Sequence, residues 1–284
     1  MDNLARCGGQ MFKVLKFSCW FWVGSICAAP ILQHSFNLAV SHKQRWDFTE
    51  LFNNFVRDGV ELNKSVFGTL DTMRVLTWVL PAYLIARSVD DDIHSCFYLD
   101  SQHKNVGQMP KFPRMVADKG VPLLAVLLMM MPLSHQIDQD VKDTSKLFIS
   151  GLASVSAMRT VIKYSLRARA SLRPWNGLFS SCNRALGGFP SGHMAAATYM
   201  AVTYGLRHGA GWGLPLGAFA GFVFMASLNS NRHYASQLVG GFGLGLIYGL
   251  ASDRVLKSRF SENAQIGLDI DSVGRPVLSA AYQF

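Results

Sequence analysis

Residues 185–206 read ALGGFPSGHMAAATYMAVTYGL. From Ala185 to Leu206 there is no Asp, Glu, Lys or Arg, and about 20 such residues let a helix cross a hydrocarbon core about 30 Å thick. The stretch opens on Pro190-Ser191-Gly192-His193, with KYSLRARASLRP (163–174) before it and NSNRHYASQ (229–237) after it. Arginines crowded beside an apolar run repel one another unless an anion lies between them. Whether the run spans a membrane and which anion it serves are therefore one question.

Charge-free runs recur on both sides, at Phe17–His42, Gly120–Ile137, Gly209–Asn231 and Tyr234–Ser252, and Leu147–Ile162 is broken only by Arg159. Repeated runs of this length favour a polytopic chain. A compact soluble bundle would share the Gly- and Ala-rich texture of GLPLGAFAGF and LVGGFGLGLIYGL, which also suits close membrane helices, so run length is the better discriminator. Val75–Ala86, between Arg74 and Arg87, makes only about 18 Å of helix and is expected not to cross. The expected fold class is all-α: a polytopic membrane bundle of about six transmembrane helices. Residues 1–118 hold an N-terminal span and an amphipathic and loop region, 119–252 the core, and 253–284 a polar tail. Phe17–His42 reads as a span, with a cleaved signal as the alternative. Residues 43–74 suggest an amphipathic surface helix, and 87–118, with Asp90-Asp91-Asp92, an extramembrane loop.

Composition narrows the partners. Half of the 284 residues are hydrophobic and 16% are charged, and the formal net charge is +9. That balance favours anions, but without a basic tract nucleic acid is not expected. Cys7, Cys19, Cys27, Cys96 and Cys182 are not spaced as a zinc or redox site.

If the four runs from Leu147 to Ser252 cross in turn, the three basic or histidine-bearing segments meet at one face. Pro suits the first turn of a helix, and Ser-Gly exposes backbone N–H groups at the positive helix end, where phosphate binds. Guanidinium groups add charged contacts to phosphate oxygens. Of two histidines, one can attack phosphorus while the other protonates the leaving oxygen.

These segments resemble the signature of the type 2 phosphatidic acid phosphatase superfamily, which includes bacterial acid phosphatases, glucose-6-phosphatase and vanadium haloperoxidases. Its pattern is Lys, six residues, Arg-Pro; then Pro-Ser-Gly-His; then Ser-Arg, five residues, His, three residues, Asp. The resemblance covers about residues 119–252. It implies His233 as nucleophile, His193 as general acid, and Lys163, Arg173, Ser191 and Gly192 as phosphate holders.

Three departures stand out. Nine residues separate Lys163 from Arg173, so Arg167, Arg169 or Arg159 is a candidate for the lysine's place. The motif Ser-Arg falls on Ala226-Ser227, which leaves Arg232 to compensate. The aspartate is Gln237, a residue that can orient His233 but adds no charge; Gln237→Glu is expected to remain active. The reading is an integral membrane, metal-independent phosphatase without a cofactor, acting on a lipid phosphate or pyrophosphate through a phosphohistidine. Its site is expected on the periplasmic face of a bacterial inner membrane, opposite Lys13, Lys16, Arg207, Arg254, Lys257 and Arg259. The alternatives are a non-catalytic lipid-phosphate-binding membrane protein and a vanadium-dependent haloperoxidase.

Overall fold

The computed structural model describes residues 48–97, 111–134, 136–166, 172–174, 188–230, 232–270 and 276–282. Arg167, Arg169 and the Phe17–His42 run lie outside them. The chain divides into two compact units, Met1–Phe52 and Asn53–Phe284; the helical core and the site lie in the second. Among the described residues there are eight α-helices: α1 Phe48–Val66, α2 Leu70–Ser88, α3 Asp90–Phe97, α4 Lys111–Met130, α5 Gln139–Ser165, α6 Gly192–His208, α7 Ala210–Asn229 and α8 Ala235–Asn263. The core is all-helical, and α4 to α8 each overlap one of the apolar runs, although α4 begins nine residues before Gly120 and α8 continues past Ser252 to Asn263.

The centre of the bundle is α8 against α6 and α2, with α5 and α7 flanking α6. Small residues make that approach possible: a Cβ at Gly241 or Gly245 of α8 would meet the carbonyl oxygens of Ser191 and Ala195 on α6. Between the helices lie aromatic rings, with Phe148 stacked on Tyr199 at 5.3 Å, and hydroxyl groups. Tyr199 bonds Ser252 at 3.0 Å, Ser145 bonds Tyr204 at 2.8 Å, and Asn63 links Ser154 to Tyr248. Outward faces carry large apolar side chains, among them Trp78, Leu84, Ile85, Leu123, Leu127 and Leu214. Hydroxyls between helices and leucines outside are the arrangement a lipid solvent favours. Among the described residues three helices are long and apolar enough to cross a membrane: Met115–Leu133, Ala210–Asn229 and Ala235–Arg259.

Two expectations need correcting. α2 is not a 12-residue fragment but a 19-residue helix, about 28 Å long, because Arg74 and Arg87 lie inside it and Pro81 does not end it. At one end its Asp71 pairs with Arg254 at 2.9 Å; at the other Asp90, two residues past its last, bonds Ser236. α2 therefore runs the whole height between Ser236 and Arg254 of α8. The stretch 87–118 is not wholly loop, since α3 and the start of α4 fall within it. In the polar tail α8 continues to Asn263, and β1 (Ala264–Ile270) pairs antiparallel with β2 (Pro276–Tyr282).

Candidate phosphate-binding site

At the start of α6 the helix begins on Gly192, with Ser191 as its N-cap. Pro190 thus precedes the cap instead of filling the first turn, as its sequence position had suggested. The Ser191 N–H donates to the Gln237 carbonyl at 3.1 Å, while its buried Oγ has no hydrogen-bond partner among the described residues. Exposed N–H groups and the helix dipole make such an end attractive to phosphate.

Arg159 of α5 lies directly against it. Its Nε donates to the Pro190 carbonyl at 3.2 Å, and a Cβ on Gly192 would fall 2.7 Å from its Cζ. Glycine at 192 is what lets a guanidinium reach the helix end. Among the described residues neither Arg159 nor Lys163, one turn further along α5, has a carboxylate within salt-bridge distance. The Lys163 Nζ stands 5.9 Å from the centre of the Tyr164 ring. Arg173 belongs to the same positive cluster: burial, then Arg159 and Arg232, push its pKa down to about 10.

His233, 5% exposed, lies just before α8. Its Nδ1 is 3.2 Å from Gln237 Oε1. The Gln237 amide has its orientation fixed by its partners. The Tyr234 N–H, a donor only, faces Oε1 at 3.3 Å, and the Leu172 carbonyl, an acceptor only, faces Nε2 at 2.6 Å. Oε1 can only accept, so the His233 proton is on Nδ1 and Nε2 keeps its lone pair. Burial, followed by the Arg173 guanidinium, holds the ring well below the usual imidazole pKa, against the Gln237 hydrogen bond; Arg159 and His193 add to the depression. Gln237 is wholly buried and touches all three motif segments: Leu172 of the first, Ser191 of the second and His233 of the third. A carboxylate here would set an oxygen against the Leu172 carbonyl, so the expectation that Gln237→Glu stays active is revised.

His193, on the first turn of α6, places Nε2 3.2 Å from the main-chain carbonyl of Asp118 on α4. The carbonyl accepts, which puts the proton on Nε2 and leaves Nδ1 to gain and lose the second proton. The Asp118 carboxylate is ion-paired with Arg232, whose charge is thereby committed to a protein partner. Asp90, 3% exposed, accepts from the Ser236 N–H at 2.9 Å and Oγ at 2.5 Å and pairs with Arg87 at 3.1 Å. It thus anchors the α8 turn that carries Gln237. Asp118 and Asp90 lie far from the motifs in sequence, and no local pattern marks them; Arg159 was legible from its helical spacing to Lys163. Among the described residues no three His, Cys, Asp or Glu side chains cluster as metal ligands would.

No family model matches the chain, and no curated protein does. Among solved structures the chain is similar to a transmembrane PAP2-type phosphatidylglycerolphosphate phosphatase from Bacillus subtilis. The two are 18% identical over 75% of this chain and 96% of that one, with a TM-score of 0.43.

Proposed function

We propose that the protein is an integral membrane phosphatase of the type 2 phosphatidic acid phosphatase kind, hydrolysing a lipid phosphate or pyrophosphate. The observation that carries this reading is the Gln237 side chain and carbonyl, which draw the three motif segments around a neutral His233 Nε2. The phosphoryl oxygens take the charges of Arg159, Lys163 and Arg173 and the N–H groups at the start of α6, so that guanidinium and ammonium groups do the neutralising. His233 Nε2 forms the bond to phosphorus as the bond to the leaving oxygen breaks, and His193 gives that oxygen its proton. Water then attacks the phosphohistidine, His193 takes the water's proton, and phosphate leaves with the His233 lone pair restored. Aligning the attacking and leaving atoms and spreading the charge are most of what phosphoryl transfer requires.

Outward leucines and inward hydroxyls, together with the three apolar helices, support the membrane setting. A site at the helix ends puts it at headgroup level, which supports a lipid substrate. The arginine-rich end is taken as the periplasmic one, because the opposite end holds Arg207, Arg254, Lys257 and Arg259.

The test is phosphate release by the purified, detergent-solubilised protein from a panel of short-chain lipid phosphates. His233→Ala should abolish turnover, and wild type quenched in base should retain an acid-labile phosphohistidine. Turnover that survives His233→Ala would refute the mechanism. A wild type that binds these lipids and releases no phosphate would leave the non-catalytic binder.

A further inference from the structure

α4 contains Pro122, four residues after Asp118. In an unbroken helix the N–H at 122 would donate to the Asp118 carbonyl. Proline has no N–H, and its ring presses against the carbonyl four residues back. The Asp118 carbonyl is therefore without its helical donor, and it is the atom His193 Nε2 contacts at 3.2 Å. Resting on the phosphatase reading above, we propose that Pro122 is a positioning residue: by freeing that carbonyl it supplies the acceptor that aims His193 at the leaving oxygen.

Two further observations agree. Asp118 meets the other histidine's segment through its carboxylate and Arg232, beside His233. One residue of α4 thus ties both histidine segments, and the main-chain half of that tie depends on a proline. α2 and α7 also contain interior prolines, Pro81 and Pro215, which free the carbonyls of Thr77 and Gly211; neither residue belongs to the site. Among the described residues three helices carry interior prolines, and in one of them the freed group meets a catalytic side chain.

The arrangement makes an unusual demand. Pro122→Ala restores a helical hydrogen bond and a good helix former, so the melting temperature should hold or rise. The new N–H then competes with His193 for the carbonyl. The ring loses its aim, and kcat should fall at least about tenfold with KM within about threefold, as expected when only transition-state alignment is lost. Pro81→Ala and Pro215→Ala are the controls and should keep wild-type kcat.

The experiment measures kcat, KM and thermal melting for these three variants in the purified full chain with a short-chain lipid phosphate. Wild-type kcat in Pro122→Ala would overturn the proposal and leave the phosphatase reading standing. An equal fall in all three variants would also overturn it, by showing a general effect of helix shape. An inactive wild type would remove the phosphatase reading itself. Pro122→Ser restores the same N–H and covers the case in which Pro122→Ala does not fold. It should lose kcat alike, and wild-type kcat in it would overturn the proposal. Asp118→Asn tests the side-chain half of the tie. It keeps the carbonyl but weakens the hold on Arg232, so kcat should fall severalfold, and Arg232→Gln should add little to it. Silence in Asp118→Asn would overturn the role given to Asp118.

Discussion

The two ends of the bundle treat arginine differently. Away from the site, Arg207 is paired with Asp140, Arg254 with Asp71, and Arg259 with Asp58 and Glu61 at 2.7 and 2.5 Å. At the site end Arg159 is held by a carbonyl, Arg173 is crowded by Arg159 and Arg232, and Arg232 and Arg87 take the carboxylates of Asp118 and Asp90. Paired arginines fasten helices together. Arginines crowded against one another raise the free energy of the empty site, and on the proposed reading an arriving phosphate would relieve that repulsion.

Substitution can break this contrast from either side. The largest effect after His233 is expected at Arg159: Arg159→Ala should lower kcat/KM by about 100-fold, the loss typical of one preorganised contact to developing charge, without lowering the melting temperature. Normal turnover in that variant would show that the crowding serves no ligand. Gln237→Glu should follow, with activity down about tenfold and the fold weaker by about 1–3 kcal/mol, because a buried donor to Leu172 is replaced by an acceptor. A fully active, stable Gln237→Glu would mean that the Leu172 contact does nothing.

pH sharpens the comparison further. His233 is held below its ordinary value of 6.5, so its lone pair survives mild acid and the acidic limb of kcat/KM should lie below pH 6.5. The linkage has the same sign. Below that pH the unfolded chain binds a proton that the folded ring refuses, so stability falls as pH drops towards the folded pKa. His233→Asn should melt with a shallower pH dependence between pH 7 and 5. An acidic limb above pH 7 would contradict the buried, arginine-flanked ring. The smallest catalytic effect belongs to the far end: Arg259→Ala should cost about 1–3 kcal/mol of stability and leave kcat of the folded protein unchanged.

Much of this was legible in the chain. Charge-free runs located α4 to α8, because few long segments can do without ionised groups unless lipid or a core surrounds them. The order of Arg173-Pro174, Pro190-Ser191-Gly192-His193 and His233 named the three segments that Gln237 joins in the fold. α2 was misjudged because Arg74 and Arg87 were read as its boundaries, whereas the long stem of an arginine lets it sit inside a helix while its charge reaches out. Asp90 and Asp118 were illegible for another reason. Their contacts cross 146 and 114 residues of sequence and form only once the helices have packed. Pro122 stood in plain sight, but its consequence depends on which side chain faces the carbonyl four residues behind it.

The full height of α2 has a practical corollary. From α2 to α8 the chain makes six passes and returns to the level at which it began, where Arg259 grips Asp58 and Glu61 of α1. Anything fused after β2 therefore starts from the end of the bundle away from His233. An affinity handle or surface tether attached there would immobilise the protein with its Arg159 and His233 end facing the bulk. Substrates too bulky to diffuse through a crowded detergent micelle could then be offered to it directly.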